Sequence, residues 1–290
     1  MKTYSKAPVP FHGQKRYFLQ DLKSFLEKAI GNAKGDGYTI IDLFGGSGLL
    51  AHNAKRLYPN ARVIYNDFDN YAKEVEKIPV AMQNWLDLKE ILKGKTYKHK
   101  EKITDSKVLS DIRDYINNQS LKDESSLNFR FLSCWFLFSG RIARDKEEFL
   151  YHLNDLYHGI PQKQINPCTG YLEGLEIVQC DFREILNKEE FKKDKVIFLL
   201  DPPYLGTNLK GYSQQGREFN YADMLMLMTL IRPPYMLFYI NNQLLQIEDL
   251  TKKMLEQNLN AKAFRYMQML HRDVGLNVSA SRKESIYYHL

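Results

Sequence analysis

Hydrophobic residues along this chain alternate between helical and extended patterns. Over Gln14–Ile30 apolar residues recur every three or four positions, which predicts a helix with one buried face. Tyr38–Phe44 and Arg62–Asn66 are short apolar runs that predict buried strands, and Leu49–Tyr58 between them predicts a helix ended by Pro59. A unit of strand, helix and strand is typical of a parallel sheet.

The same alternation returns in the second half of the chain. Further strands are predicted at Leu175–Gln179, Val196–Leu200, Met236–Ile240, Ala263–Met269 and Ser285–His289. The segment Tyr221–Ile231 predicts a helix between two of them. The predicted fold class is therefore α/β, with a Rossmann-like, doubly wound and mostly parallel sheet.

Strand signals are missing from the middle of the chain. A lysine-rich stretch, KEILKGKTYKHKEK, is followed there by helical patterns only. This change predicts a mostly helical inserted domain over residues 87–167 and a discontinuous core domain formed by residues 1–86 and 168–290. Acidic residues are interspersed among the lysines from Lys89 to Lys102, which favours a solvated face over a DNA contact.

Composition narrows the class of protein only slightly. A chain of 290 residues with 44% hydrophobic and 26% charged residues is typical of a globular protein and disfavours disordered and fibrous classes. The net charge of +6 gives weak support for a polyanionic partner. Three cysteines without metal-type spacing, and no signal peptide, predict a cytoplasmic protein. The apolar run Leu127–Phe138 is too short to cross a bilayer and predicts a buried helix.

A glycine turn follows the first predicted strand. In DLFGGSGLLA, Asp42 ends the strand, and Gly45, Gly46 and Gly48 precede a helix whose first N–H groups are unpaired. Asp67 ends the second strand, where a carboxylate can accept both hydroxyls of a ribose. The pattern predicts a nucleoside site but also fits nicotinamide enzymes, and it lacks the Gly-Lys-Ser/Thr of P-loop hydrolases.

The motif DPPY follows the strand Val196–Leu200 directly. Because ligands of parallel sheets bind beyond the carboxyl ends of the strands, this turn is expected to face the same crevice as the glycine turn. Asp201 can accept one hydrogen of an exocyclic amine, and the carbonyl of Pro202 or its neighbour can accept the other. Pro202 and Pro203 fix the backbone, and Tyr204 can stack on a planar ring.

With both motifs in view, the chain resembles the Dam-type (class alpha) adenine-specific DNA methyltransferases, which use S-adenosylmethionine. The similarity also includes PFHGQKRYFL near the N-terminus and VQCDFREIL before the DPPY strand. It implies that the cofactor is bound by Gly13, Lys15, Asp42, Phe44, Gly45, Gly46, Ser47, Gly48, Asp67, Asp181 and Phe182. It implies that a flipped adenine is held by Asp201, Pro202, Pro203 and Tyr204.

The resemblance implies methylation of the 6-amino group of adenine in double-stranded DNA. It also implies that the inserted domain recognises the target sequence, and that the protein acts in a bacterium or a phage-infected bacterial cell. No metal and no membrane association are expected. Lys210 and Arg217, in the polar loop 205–220, are expected to reach DNA phosphates. Three alternatives stay open: methylation of RNA or of another amine, a nicotinamide oxidoreductase, and a non-catalytic DNA-binding module.

Overall fold

The chain forms two compact units. A computed structural model describes residues 2–11, 13–31, 34–138, 140–205, 219–241, 245–275 and 281–290. The first unit, here called the sheet unit, comprises Met1–Ala7, Gly13–Tyr71 and Gly170–Leu290. The second, here called the helical unit, comprises Pro8–His12 and Ala72–Thr169.

Nine strands are present in the described residues. Numbered along the chain they are β1 (Thr39–Asp42), β2 (Arg62–Asn66), β3 (Glu101–Lys102), β4 (Tyr157–His158), β5 (Glu176–Val178), β6 (Val196–Leu200), β7 (Tyr235–Tyr239), β8 (Gln268–Gly275) and β9 (Ser281–His289). Seven of them form one sheet in the order β5-β2-β1-β6-β7-β9-β8. Neighbours from β5 to β7 are parallel, and β9 runs antiparallel to both β7 and β8. The predicted mostly parallel α/β sheet is confirmed.

Eleven α-helices accompany the strands in the described parts of the chain. They are α1 (Leu19–Ile30), α2 (Leu49–Leu57), α3 (Tyr71–Glu76), α4 (Ile78–Ile91), α5 (Ser106–Lys122), α6 (Phe129–Phe136), α7 (Lys146–Tyr151), α8 (Phe182–Asn187), α9 (Tyr221–Leu230), α10 (Ile247–Glu256) and α11 (Ala261–Phe264). None of these helices is both long enough and apolar enough to cross a membrane.

Successive residues of a strand point to opposite faces of the sheet, so both faces carry apolar side chains. Helices cover these side chains on both faces. Ile40 packs in a core with residues of α1 and α2, whereas its neighbour Ile41 packs in another core with residues of α8, α9 and α10. Strands β6 and β7 are buried along their whole length, as expected for the centre of a parallel sheet. The carboxyl ends of the strands are thereby held rigidly.

Buried side-chain amides organise the helical unit. Asn84 on α4 donates to the hydroxyl of Tyr115 at 3.0 Å and to the carbonyl of Ser126 at 2.8 Å, and its Oδ1 accepts from the backbone N–H of Asn128 at 2.9 Å. Asn128 in turn caps α6 by accepting from the N–H of Phe131. This helix confirms the buried helix predicted within residues 127–138.

Two predicted boundaries are wrong for physical reasons. Ala263 and Phe264, predicted as strand, lie in α11, where both are buried against the core below α9. Pairing with β9 begins only at Gln268. The helix predicted from Gln14 begins at Leu19, because the preceding residues form a turn that directs Lys15 into the site described next.

Candidate functional site

The strand order of the sheet reverses between β1 and β6. From β1 the chain continues outward to β2 and β5, whereas β6 is followed by β7 on the opposite side. Such a reversal opens a crevice at the carboxyl ends of the two strands, where open α/β sheets bind ligands. Asp42 is the last residue of β1, and Asp201 follows the last residue of β6. The structure therefore brings the two predicted motifs to neighbouring strand ends.

Asp42 is completely buried at this crevice. Its Oδ2 accepts a hydrogen bond from the backbone N–H of Ala51 on α2 at 3.1 Å. No donor among the described residues reaches its Oδ1. Burial raises the pKa of Asp42 to about 7; Asp201 adds to this rise, and Lys15 opposes it. Asp42 is therefore partly ionised at neutral pH and retains one buried acceptor oxygen.

The glycine turn is shaped by an aromatic ring. Gly46 and Gly48 have positive φ angles of 50° and 69°. A Cβ added to Gly45 would lie 2.2 Å from Cε2 of Tyr65, so a larger residue at this position forces its surroundings to shift. The hydroxyl oxygen of Tyr65 lies 2.8 Å from the carbonyl oxygen of Gly46 and 3.0 Å from Oδ1 of Asp67, and its single hydrogen is shared between these two acceptors. Tyr65, which was missed by the sequence analysis, thus joins the glycine turn to the second predicted acid.

Replacing Gly45 by alanine is expected to lower the free energy of unfolding by about 1 to 3 kcal/mol, because the new methyl group overpacks against the ring of Tyr65. Chemical denaturation of Gly45→Ala, Tyr65→Leu and the double variant measures the effect. The double variant should lose less than the sum of the single losses, since leucine has no ring edge at that place. Strict additivity would contradict the proposed clash.

Asp67 and Asn66 lie at the end of β2. Asp67 is buried, and its Oδ1 also accepts from the N–H of Tyr71 at 2.7 Å. Asn66 donates to the carbonyls of Leu43 and Cys180 at 2.9 and 3.0 Å, and accepts from the N–H of Cys180 at 3.0 Å. Asn66 therefore fixes the segments that follow β1 and β5, on which Phe44 and Asp181 stand.

Asp181 caps α8 and is paired with an arginine. Its Oδ1 accepts from the backbone N–H of Arg183 at 2.9 Å and from Nε at 2.7 Å, and its Oδ2 contacts Nη2 of the same residue. Arg183 also donates to Asp223 on α9 at 3.1 Å. The bridge that Arg183 forms between Asp181 and Asp223 was not predicted, although Arg183 stands only two positions after Asp181 in the sequence.

Three phenylalanines cluster at the same edge of the sheet. The ring centroids of Phe44 and Phe182 are 5.5 Å apart, and Phe219 lies 5.8 Å from the first and 6.0 Å from the second. Phe182 is buried, whereas Phe44 and Phe219 are only partly buried. The cluster offers aromatic edges and faces beside Asp181, where a planar ring can be packed.

A buried histidine supports the helix after the glycine turn. Nε2 of His52 accepts from the N–H of Tyr4 at 3.0 Å, so Nδ1 carries the proton that is donated to the carbonyl of Tyr171 at 2.6 Å. The hydroxyl of Tyr171 donates to the carbonyl of Ser47 at 2.9 Å. Burial lowers the pKa of His52, which keeps it neutral. Ser47 is thus held by its backbone, and its side chain is buried.

The DPPY turn places its carboxylate beside a lysine. Oδ2 of Asp201 lies 2.7 Å from Nζ of Lys15, and its Oδ1 accepts from the hydroxyl of Tyr204 at 3.2 Å. The side chain of Asp201 keeps 21% of its surface exposed, so a substrate group can still reach it. Pro202 is buried and Pro203 is half-buried, and the ring of Tyr204 packs edge-on to Tyr239 with centroids 5.4 Å apart.

Gly13 and Lys15 lie beside the DPPY turn. Gly13 has a φ of 80°, a conformation that favours glycine. Its carbonyl accepts from Nζ of Lys15 at 2.9 Å. Lys15 is only 4% exposed although it carries an ammonium group. Its buried ammonium is therefore bound by both an anion and a carbonyl.

Two of the predicted residues cannot be placed. Lys210 and Arg217, expected to reach phosphates, lie outside the described residues. Within the described ranges there is no group of three or more histidine, cysteine, aspartate or glutamate residues that could hold a metal ion.

Comparisons with known proteins agree with this arrangement. The model of the D12 class N6 adenine-specific DNA methyltransferases matches residues 11–267. A protein of Haemophilus influenzae (strain Rd), provisionally named a methyltransferase, is 36% identical over 237 residues, which cover 82% of this chain and 76% of that protein. The match to the family extends across both the sheet unit and the helical unit.

Proposed function

Because the chain belongs to the D12 class N6 adenine-specific DNA methyltransferase family, we propose that it transfers a methyl group from S-adenosylmethionine to the 6-amino group of an adenine turned out of double-stranded DNA. The observation that carries this proposal is the position of Asp42 and Asp201. They lie at the carboxyl ends of the adjacent strands β1 and β6, beside the same crevice. One motif can then hold the methyl donor while the other holds the accepting amine.

The residues on the cofactor side fit S-adenosylmethionine. Its methionine part carries an ammonium group, and Asp42 offers a buried oxygen that no described residue occupies. Its adenosine part carries ribose hydroxyls and a planar base, for which Asp67, Asp181 and the ring of Phe182 are placed at the ends of β2 and β5. When bound, this cofactor supplies a methyl group on a positively charged sulfur.

The substrate-side residues can hold and activate an adenine amine. Asp201 accepts one hydrogen of the amine, and the carbonyl of Pro202 accepts the other, so that the lone pair of the nitrogen points away from the ring. That lone pair forms the new bond to the methyl carbon, the leaving sulfur keeps the electrons of the old bond, and one amine proton is released. Tyr204 packs on the base, and stacking of this kind contributes about 1 to 3 kcal/mol.

We assign target recognition to the helical unit, in line with the expectation for the inserted domain. Several of its lysines are already paired with acids: Lys95 lies 2.5 Å from Asp105, and Lys102 lies 3.0 Å from Asp155. These pairs agree with a solvated face rather than a continuous phosphate-binding surface. Residues that read bases are therefore to be sought elsewhere in this unit.

The decisive experiment supplies the purified chain with cofactor labelled on the methyl group. Unmethylated duplex DNA, the same DNA already methylated at adenine N6, and RNA of the same sequence are offered in parallel. Label should enter only the unmethylated DNA, and modification-sensitive sequencing should place it on adenines within one short sequence.

Other outcomes separate the alternatives. Labelling of RNA alone would replace the proposed substrate by RNA. Binding of DNA in a gel shift without any incorporation of label would indicate a non-catalytic module.

A further inference from the structure

The ammonium group of Lys15 is surrounded by a carboxylate, a carbonyl and two aromatic rings. Its Nζ lies 2.7 Å from Oδ2 of Asp201 and donates to the carbonyl of Gly13 at 2.9 Å. The same nitrogen lies 5.2 Å from the ring centroid of Tyr204 and 5.8 Å from that of Phe238. An ammonium this deeply buried is stable only while such partners compensate its lost hydration.

Asp201 stands among several charged groups. Lys15 faces it from the N-terminal segment, Asp42 from the end of β1, Tyr204 from its own turn, and Glu284 from β9. Glu284 is only 3% exposed. Burial raises the pKa of Asp201 and Glu284 adds to the rise, while Lys15 and Tyr204 oppose it. Lys15 thus counters burial and the charge of Glu284, which both disfavour a charge on Asp201.

We propose that Lys15 is a positioning residue that keeps Asp201 in its carboxylate form for the incoming amine. The inference rests on the proposed function, because only an amine substrate needs Asp201 as an acceptor. An ionised carboxylate accepts at both oxygens and stabilises the positive charge that develops on the amine nitrogen. A protonated carboxyl presents a donor instead. Lys15 then acts on the substrate side instead of making the cofactor contact expected from the resemblance.

Geometry supports this role over a purely structural one. Lys15 contacts Asp201 through Oδ2, and a carboxylate oxygen has a second lone pair for an amine hydrogen. Because Asp201 is 21% exposed while Lys15 is 4% exposed, the carboxylate can be reached without moving the lysine. The charge pair can therefore persist while substrate is bound.

The test compares pH profiles of kcat, at saturating DNA and cofactor, for the wild type, Lys15→Met and Lys15→Arg. Methionine fits beside the rings of Tyr204 and Phe238 but carries no charge. An opposite charge at this distance changes a pKa by about 1 to 3 pH units. In Lys15→Met the acid limb of the profile should move to higher pH by that amount, so that kcat falls about 10-fold or more at pH values on the wild-type acid limb and recovers at higher pH. Lys15→Arg should keep an acid limb close to that of the wild type.

Two further measurements separate the possible failures. Lys23→Met, which removes an exposed lysine of α1, is the matched control and should leave the profile unchanged. Calorimetry with S-adenosylhomocysteine should show similar affinity in Lys15→Met and the wild type. A large loss of this affinity together with an unshifted pH profile would overturn the inference and assign Lys15 to the cofactor. A wild-type rate and profile in Lys15→Met would also overturn it.

A readout without DNA keeps the inference testable even if the proposed function fails. Carboxyl-labelled aspartate is titrated by carbon-13 NMR in the free protein, and the Asp201 signal is identified by its absence from Asp201→Asn. This signal should titrate at higher pH in Lys15→Met than in the wild type. An identical titration would refute the inference. Absence of adenine methylation by the wild type would refute the proposed function and the amine's part in the inference, but it would leave the effect of Lys15 on the charge of Asp201 to be decided by the titration. If Lys15→Met folds poorly, the double variant with Asp201→Asn should regain stability, because no buried charge remains unpaired.

Discussion

Replacing Asp201 by asparagine is expected to lower kcat for adenine methylation about 1000-fold, an effect typical of removing one preorganised charged or polar group from a reacting centre. Asparagine keeps the shape of the side chain but loses the negative charge that faces the amine. It also leaves the ammonium of Lys15, 4% exposed and 2.7 Å away, without its anion. Single-turnover transfer of labelled methyl groups to duplex DNA measures the rate.

The control for this variant is Asp194→Asn. Asp194 is exposed and precedes the amino end of β6, so the same change of atoms is made at the opposite end of the same strand. This control should methylate DNA at the wild-type rate. Affinity for S-adenosylhomocysteine should change little in Asp201→Asn. A variant that kept near-normal turnover would remove Asp201 from the substrate site.

The sheet could be predicted from the sequence because its strands are short apolar runs separated by helical patterns. Buried parallel strands such as β6 need apolar side chains on both faces, which leaves a continuous signal in the chain. The first polar residue after such a run marks the end of the strand. Asp42 and Asp201 are the first polar residues after two of these runs. Near residue 263 the same reasoning was wrong, since a short apolar run does not distinguish one helical turn from a strand.

Contacts between distant residues could not be predicted. Asn66 joins the ends of two strands through carbonyls, one of them 114 positions away, and Tyr171 holds the glycine turn from 124 positions away. Such contacts depend on the completed packing and leave no local pattern. The role of Gly45 was predicted only in part: glycine was expected there for a ligand, whereas the ring of Tyr65 already requires it.

Asp42, for which we propose a role in cofactor binding, opposes stability when it is ionised. Its carboxyl is fully buried, and its folded pKa of about 7 lies above the value of 3.8 for an exposed aspartate. An acid whose pKa is raised on folding binds its proton more tightly in the folded state. Its favourable contribution is therefore complete below pH 3.8 and is lost progressively as the pH rises to about 7. Each pH unit between the two values corresponds to about 1.4 kcal/mol, so ionised Asp42 costs about 4 kcal/mol.

Replacing Asp42 by asparagine should accordingly stabilise the protein above pH 7, by up to about 4 kcal/mol relative to the wild type, and far less near pH 4. Asparagine can still accept from the N–H of Ala51. Denaturant unfolding of both proteins at several pH values measures the difference, which should grow with pH. A difference independent of pH would show that Asp42 is ionised equally in both states.

The same variant should bind the cofactor more weakly. A buried carboxylate that accepts from a charged donor contributes about 1.5 to 3 kcal/mol, so the affinity for S-adenosylhomocysteine should fall about 10-fold to 100-fold at pH 8. In the wild type this affinity should rise with pH through about 7, because binding of an ammonium group favours ionised Asp42, and Asp42→Asn should lose this dependence. Calorimetry with S-adenosylhomocysteine at pH 6 and pH 8, on both proteins, measures these affinities. Equal affinities in both proteins at pH 8 would leave the stability effect intact but remove Asp42 from the cofactor site.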